Sequence, residues 1–229
     1  EYVSAYTSGF ISSRDEIRVK LARSVETAEP GEEIAMDVFR FEPAIKGQAY
    51  WEDNRTAVYK PAEPLPGGQD FKVAFALDQL METPEDRGEF RFTFSIIPQN
   101  FEVKVEGLSL YDAADLSEMK ILGMLQTSDV AATENIEKVL SAEQNGTPLE
   151  ISWEHGIGLN QHQFIIEKVA RKEEKGEVDI LWNGEPIGVK KKGDLEYDIP
   201  SLSDFTVSRV KIIRTEDNYI SVLFSDPID

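Results

Sequence analysis

Cysteine is missing altogether from the 229 residues. That absence excludes disulfides, thiolate metal ligands and a cysteine nucleophile. Long apolar runs are missing too: no stretch of about 18 apolar residues occurs, so neither a spanning helix nor a signal peptide is read here. The first residue is Glu rather than Met, and any targeting or lipidation signal is expected to have been removed upstream. Low-complexity tracts are likewise absent, which argues against disorder. Positive charge is in deficit, with 24 Lys and Arg against 43 Asp and Glu and a formal net charge of -19. Such a field repels phosphate backbones and anionic headgroups, so nucleic acid and the membrane surface are not expected as partners. The simplest use of the acidity is solubility.

What is present is enough apolar material for two cores. Hydrophobic residues make up 41% and aromatics 10%, and the length matches two sandwiches of roughly 100 residues each. Ile17, Val19 and Leu21 alternate with Arg18 and Lys20. Phe71, Val73, Phe75 and Leu77 repeat the alternation, as do Phe90, Phe92, Phe94 and Ile96. A period of two puts each set on one face of a strand, the mark of an antiparallel sheet with one wet face. Pro66-Gly67-Gly68 reads as a turn and Glu82 to Gly88 as a polar connection.

The boundary is expected near Pro98-Gln99-Asn100, giving 1–99 as the first module and 100–229 as the second. The β pattern resumes with Leu149-Ile151-Trp153, Phe164 to Val169, Val178-Ile180-Trp182, Phe205-Val207 and Ile220-Val222-Phe224. Asn183-Gly184, between Ile180, Trp182 and Ile187, Val189, predicts a two-residue type I′ hairpin. One segment follows a different rhythm. Ile136, Val139 and Leu140 at helical spacing, with Asn145-Gly146 as a stop, predict a short helix over 131–142. The fold class is therefore all-β: two tandem Ig-like antiparallel β-sandwiches with one short helix in the second. The run ISVLFSDPID from 220 resembles IRVKLARSVE from 17, so the final strand either closes the second module or opens a third.

Candidate chemistry is sparse. His155 and His162 lie in WEHGIGLNQHQF without the further ligands a zinc site needs, and are read as loop or strand-edge residues. Gly156-Ile157-Gly158 has no following helix with which to cradle phosphate. Glu32-Glu33, Glu85-Asp86 and Glu173-Glu174 fall on turns, where solvated neighbours do not form an acid/base pair. No GxSxG elbow occurs. Asn54-Arg55-Thr56 and Asn145-Gly146-Thr147 match the glycosylation sequon, which is too frequent by chance to assign a glycan. Lys190-Lys191-Lys192 reads as an edge that discourages strand-to-strand aggregation. No catalytic, cofactor-binding or metal residue is expected, no cofactor is implied, and the chain is read as a non-enzyme.

Several blocks carry a resemblance. In the first half they are Gly9-x-Ile11, Phe41-x-Pro43, Lys46-Gly47 leading to Trp51, Arg55-Thr56, and Pro61-Ala62-x-Pro64-Leu65-x-x-Gly68. In the second they are Gly123-x-Leu125-x-Thr127-x-Asp129, Glu137-Lys138-Val139-Leu140, Trp153, Ile199-Pro200 and Phe224-Ser225-Asp226-Pro227. Over essentially its whole length the chain resembles the opening macroglobulin-like modules of bacterial, Bacteroidetes-type alpha-2-macroglobulins. The resemblance implies part of a periplasmic or lipid-anchored proteinase trap, with other modules of the same full-length chain and the trapped protease as partners, and with the membrane reached only through an upstream lipid anchor. The family's thioester motif is Cys-x-Glu-Gln. Ser141-Ala142-Glu143-Gln144 is similar to it, but Ser cannot form a thioester, so the match is read as chance. Alternative classes are a surface adhesin or glycan-binding module, which exposed Trp51, Trp153 or Trp182 would favour, and an accessory domain of a hydrolase.

Overall fold

A computed structural model describes residues 2–34, 37–112, 115–158, 160–214 and 218–227. The chain divides into two compact units, Glu1–Pro98 and Gln99–Asp229. It is an all-β protein with two sheets in each unit and a further two-stranded sheet near the end.

In the first unit β1 (Val3–Tyr6), β2 (Gly9–Ile11), β3 (Ile17–Leu21) and β4 (Phe39–Glu42) are followed by β5 (Gly47–Asp53), β6 (Thr56–Pro61), β7 (Asp70–Ala76) and β8 (Glu89–Ile96). They form sheets of order β1-β3-β6-β5 and β2-β8-β7-β4. All pairs are antiparallel except β2 with β8. The alternation predicts the inner faces: β3 is buried at Ile17, Val19 and Leu21 and exposed at Arg18 and Lys20. Trp51 and Tyr59 of the same sheet, and Phe71, Val73, Phe75, Phe92, Phe94 and Ile96 of the other, join them in one core. Each such side chain contributes about 1.5–3 kcal/mol when fully buried, which is how the pattern selects the fold.

The second unit contains β9 (Phe101–Asp112), β10 (Asp115–Thr127), the helical turn α1 (Thr133–Ile136), β11 (Leu140–Gln144), β12 (Thr147–Pro148) and β13 (Ile151–Gly158). It continues with β14 (Gln161–Ala170), β15 (Gly176–Asn183), β16 (Lys192–Ile199), β17 (Val207–Ile213) and β18 (Tyr219–Phe224). The sandwich sheets have order β13-β14-β10-β9 and β12-β11-β15-β16. Their inner faces meet through Met119, Ile121, Leu125, Phe164, Ile166, Val178 and Ile180. Gly123 sits opposite Phe164, and a Cβ there would lie 2.1 Å from the ring, so the missing side chain is the notch that admits the aromatic.

Two expectations are corrected. The helix predicted over 131–142 is a single turn, Thr133–Ile136, and Leu140–Gln144 is a strand. Ile136 and Val139 do share a buried face, which produced the helical spacing. From Leu140 onward the burial alternates, with Leu140, Ala142 and Gln144 inside, and pairing of Leu140 with Trp182 outweighs one more helical turn. Asn183-Gly184 does not make the two-residue hairpin. Asn183 pairs with Lys192, and the connection contains a 3-10 helix at Glu185–Ile187. Pro186 has no N–H to give a ladder, while Ile187 and Val189 pack on the core. The tight hairpin forms instead at Asn145-Gly146, between the paired Gln144 and Thr147, with φ of 53° and 74°. Positive φ at both central residues is what a type I′ turn requires.

The hairpin of β17 and β18 shares no β-ladder with either sandwich sheet and forms its own two-stranded sheet, tied to β9 by the ion pair of Arg209 with Glu106. Val207, Val210, Ile212, Ile220 and Val222 are exposed on it. Ile228 and Asp229, at the end of the run compared with the opening strand, lie outside the described residues.

Candidate functional site

A cluster of ionisable side chains joined by hydrogen bonds, with both histidines of the chain in it, is built on β13 and β14. In their antiparallel register Trp153 faces Phe164 and His155 faces His162. Residues two apart share a strand face, so both pairs line the same side, the deeper one capped by fully buried Phe164 and the outer one half-buried. The two histidines, read from the sequence as loop or strand-edge residues, are therefore brought together on paired strands. Their Nδ1 atoms are 2.8 Å apart. His155 Nε2 lies 3.2 Å from Glu137 Oε1, supplied by the residue that ends α1. The indole of Trp153 stacks nearly parallel to the His155 ring, at 7° and a centroid distance of 5.9 Å, and holds its orientation.

The electrostatics of the pair are unequal. Burial first, and then the neighbouring charge of His155, pushes the His162 pKa below its ordinary value. Nε2 of His162 is buried without a hydrogen-bond partner. With Glu137 taking the His155 Nε2 proton, His155 Nδ1 is the acceptor and His162 Nδ1 the donor of their mutual bond. A histidine oriented by a carboxylate is half of a nucleophile-activating relay, but the bonds made by these rings run to each other and to Glu137, with no hydroxyl among them. Sequence reading missed Glu137 and the pairing. The signal that could have found it is two histidines placed on either side of one hairpin turn.

The other candidates are structural. Trp51 is buried, while Trp153 and Trp182 pack against the second core, so no flat indole platform is presented. Gln144 of Ser141-Ala142-Glu143-Gln144 clamps the backbone of Ala170: its Nε2 donates to the carbonyl at 2.9 Å, and its Oε1 accepts from the N–H at 2.9 Å. Lys191 caps the Phe101 carbonyl at 2.7 Å, and Lys192 opens the edge strand β16, paired with Glu185. Glu32, Glu173 and Glu174 lie on exposed loop and bend segments, Glu33 is exposed but forms an isolated β-bridge with Tyr50, Asp86 is exposed in the 3-10 helix Glu85–Arg87, and the Glu85 side chain is outside the described residues. Asn54-Arg55 and Asn145-Gly146 of the two sequons are both turns. A groove of about 740 Å³ on the outer face of β4, β7 and β8 is lined by Arg40, Glu42, Lys72, Glu89 and Arg91. Its charges pair internally, as Arg40 with Glu89, Arg91 with Glu89 and Lys72 with Glu42. Among the described residues no group of three or more His, Cys, Asp or Glu is arranged to hold a metal ion, and no helix is long and apolar enough to cross a membrane.

No protein-family model matches the chain, and no curated protein matches it. Solved structures similar to it include an L,D-transpeptidase from Mycobacterium tuberculosis H37Rv, at 11% identity over 68% of this chain and 67% of that one, with a TM-score of 0.31. A chimeric titin Z1Z2 carrying a decorin peptide matches at 8% identity over 89% of this chain and 98% of that one, with a TM-score of 0.36. Domains 4–9 of the surface layer protein SbsC match at 12% identity over 93% of this chain and 33% of that one, with a TM-score of 0.37. These likenesses carry no argument about activity.

Proposed function

We propose that the chain supplies structural modules of an alpha-2-macroglobulin-like endopeptidase inhibitor, a protease trap of the bacterial cell envelope anchored through a lipid upstream. The observation that supports this reading is the work done by the residues that resemble the family. Trp51 is buried in the first core. Leu65 is buried and its N–H bonds to the Ser13 carbonyl at 2.8 Å. A Cβ on Gly47 would meet the Lys60 carbonyl oxygen at 2.2 Å. Asp226 of Phe224-Ser225-Asp226-Pro227 receives the buried Arg171. Shared residues used in this way specify a scaffold, and a trap needs scaffold from its opening modules rather than reactive groups. The protein is accordingly a non-enzyme in this reading, and its partners are the remaining modules and the caged protease.

The glycan-binding alternative needs an exposed aromatic platform, and the tryptophans do not provide one. Reading the coding sequence on both sides of the chain tests the proposal. A lipidation signal upstream and an array of further macroglobulin-like modules downstream are expected. Flanks that encode neither would overturn it.

A further inference from the structure

We propose that the cross-strand pair His155 and His162 is a binding site for a divalent copper-type cation, held between the two Nδ1 atoms and completed by water. Directly opposed residues on antiparallel strands have Cβ atoms about 4.5–5.5 Å apart, close enough for two imidazoles to share one ion. Here the Nδ1 atoms converge to 2.8 Å. Two metal–nitrogen bonds of about 2.0 Å enclosing about 90° span roughly that distance, whereas a tetrahedral angle needs about 3.3 Å. In the metal-free chain that separation is the N–H···N hydrogen bond, which an incoming ion replaces, and among first-row divalent ions Cu(II) binds imidazole ligands most strongly.

The surroundings fit a ligand pair. Metal-bound histidines usually give their other ring N–H to a carboxylate, which fixes the tautomer. Glu137 stands 3.2 Å from His155 Nε2 and leaves Nδ1 as a bare lone pair. On binding, His162 moves its proton from Nδ1 to Nε2, so no net proton is released. Trp153 holds the His155 plane. β13 is an edge strand, so water and ion can approach from its unpaired side. The chain's net charge of -19 concentrates cations around it.

The test is a titration of Cu²⁺ alone into the full 229-residue chain at pH 7.5 in a non-coordinating buffer, followed by electron paramagnetic resonance and tryptophan fluorescence. One equivalent with two equatorial nitrogen ligands and quenching of Trp153 is expected. His155→Gln and His162→Gln should each weaken binding at least tenfold and remove the two-nitrogen signature, with the far-ultraviolet circular dichroism of the folded chain retained. Glu137→Gln should weaken binding about tenfold with the signature kept. Trp153→Phe should abolish most of the quenching at unchanged stoichiometry. Equal binding by the histidine variants, an all-oxygen signature from the acidic surface, or no bound equivalent would each overturn the site.

Discussion

Arg171 Nη1 lies 2.7 Å from Asp226 Oδ1, and its Nη2 lies 3.1 Å from Oδ2, a two-pronged pair whose cation has no exposed side-chain surface. The same guanidinium donates to the carbonyls of Pro200, Ser201, Asp204 and Ser225. One side chain at the exit of β14 thus ties the 200–204 loop to the segment that follows β18. Ser225 adds its hydroxyl, 2.6 Å from Asp226 Oδ2.

Removing that cation leaves several buried acceptors and a carboxylate without a partner. Arg171→Ala is expected to destabilise the second unit by about 3–5 kcal/mol, and Arg171→Met by little less, because the lost bonds rather than the lost volume dominate. Hydrogen exchange read by mass spectrometry reports the two units separately. The loss of protection should be confined to peptides from Gln99–Asp229.

The pH dependence carries opposite signs at two acids. Hydrogen bonds from Arg171 hold the Asp226 carboxyl below its usual range. Its contribution is complete above the unfolded value of about 3.9 and is lost as the pH falls through the lower folded value. Glu196 is raised, chiefly by the charge of Glu177. Its repulsion sets in as the pH rises past the unfolded value and is relieved by acid. Glu196→Gln should therefore stabilise the chain at pH 7 and not at pH 3, an effect that added salt shrinks. Denaturant midpoints at the two pH values check both signs.

The two Asn-Gly pairs respond to substitution for different reasons. Gly146 has φ 74° and open space around it, so Gly146→Ala should cost about 1–2 kcal/mol from backbone conformation, and Gly146→Asn should be nearly neutral. Gly184 has an ordinary φ of -78° but crowded surroundings, with Phe101 and the Val189 carbonyl 2.5 and 2.7 Å from a Cβ. Ala and Asn should both harm that position. Unfolding free energies of the four variants separate conformation from space.

Gln144 is a backbone clamp and not half of a thioester. Methylamine is expected to add no mass to the chain, as intact-mass spectrometry will show. Gln144→Glu replaces the donor facing the Ala170 carbonyl with a second acceptor, and should destabilise the second unit by about 1–3 kcal/mol.

These residues mark how far the sequence could be read. Ile17-Val19-Leu21 and Phe92-Phe94-Ile96 declare their inner faces because a period of two is a local property. The stretch from Ile136 to Gln144 does not, since one helical turn and the first residue of a strand together imitate a helix. Asn-Gly alone does not choose a turn: Thr147 and Pro148 extend one chain, whereas Glu185-Pro186-Ile187 coil the other. Arg171, in the charged string RKEEK, looks solvated, and its burial depends on a carboxylate 55 positions away. The two histidines flank one hairpin turn, which hints at a pairing, but only the register of β13 on β14 sets His155 opposite His162.

The full-length parent protein incubated with a broad-specificity endopeptidase gives the most direct test of the scaffold-of-a-trap reading. The account predicts that cleavage of a large protein substrate falls while cleavage of a small peptide persists, and that residues 1–229 alone change neither. A parent protein that leaves hydrolysis of the large substrate undiminished would contradict it.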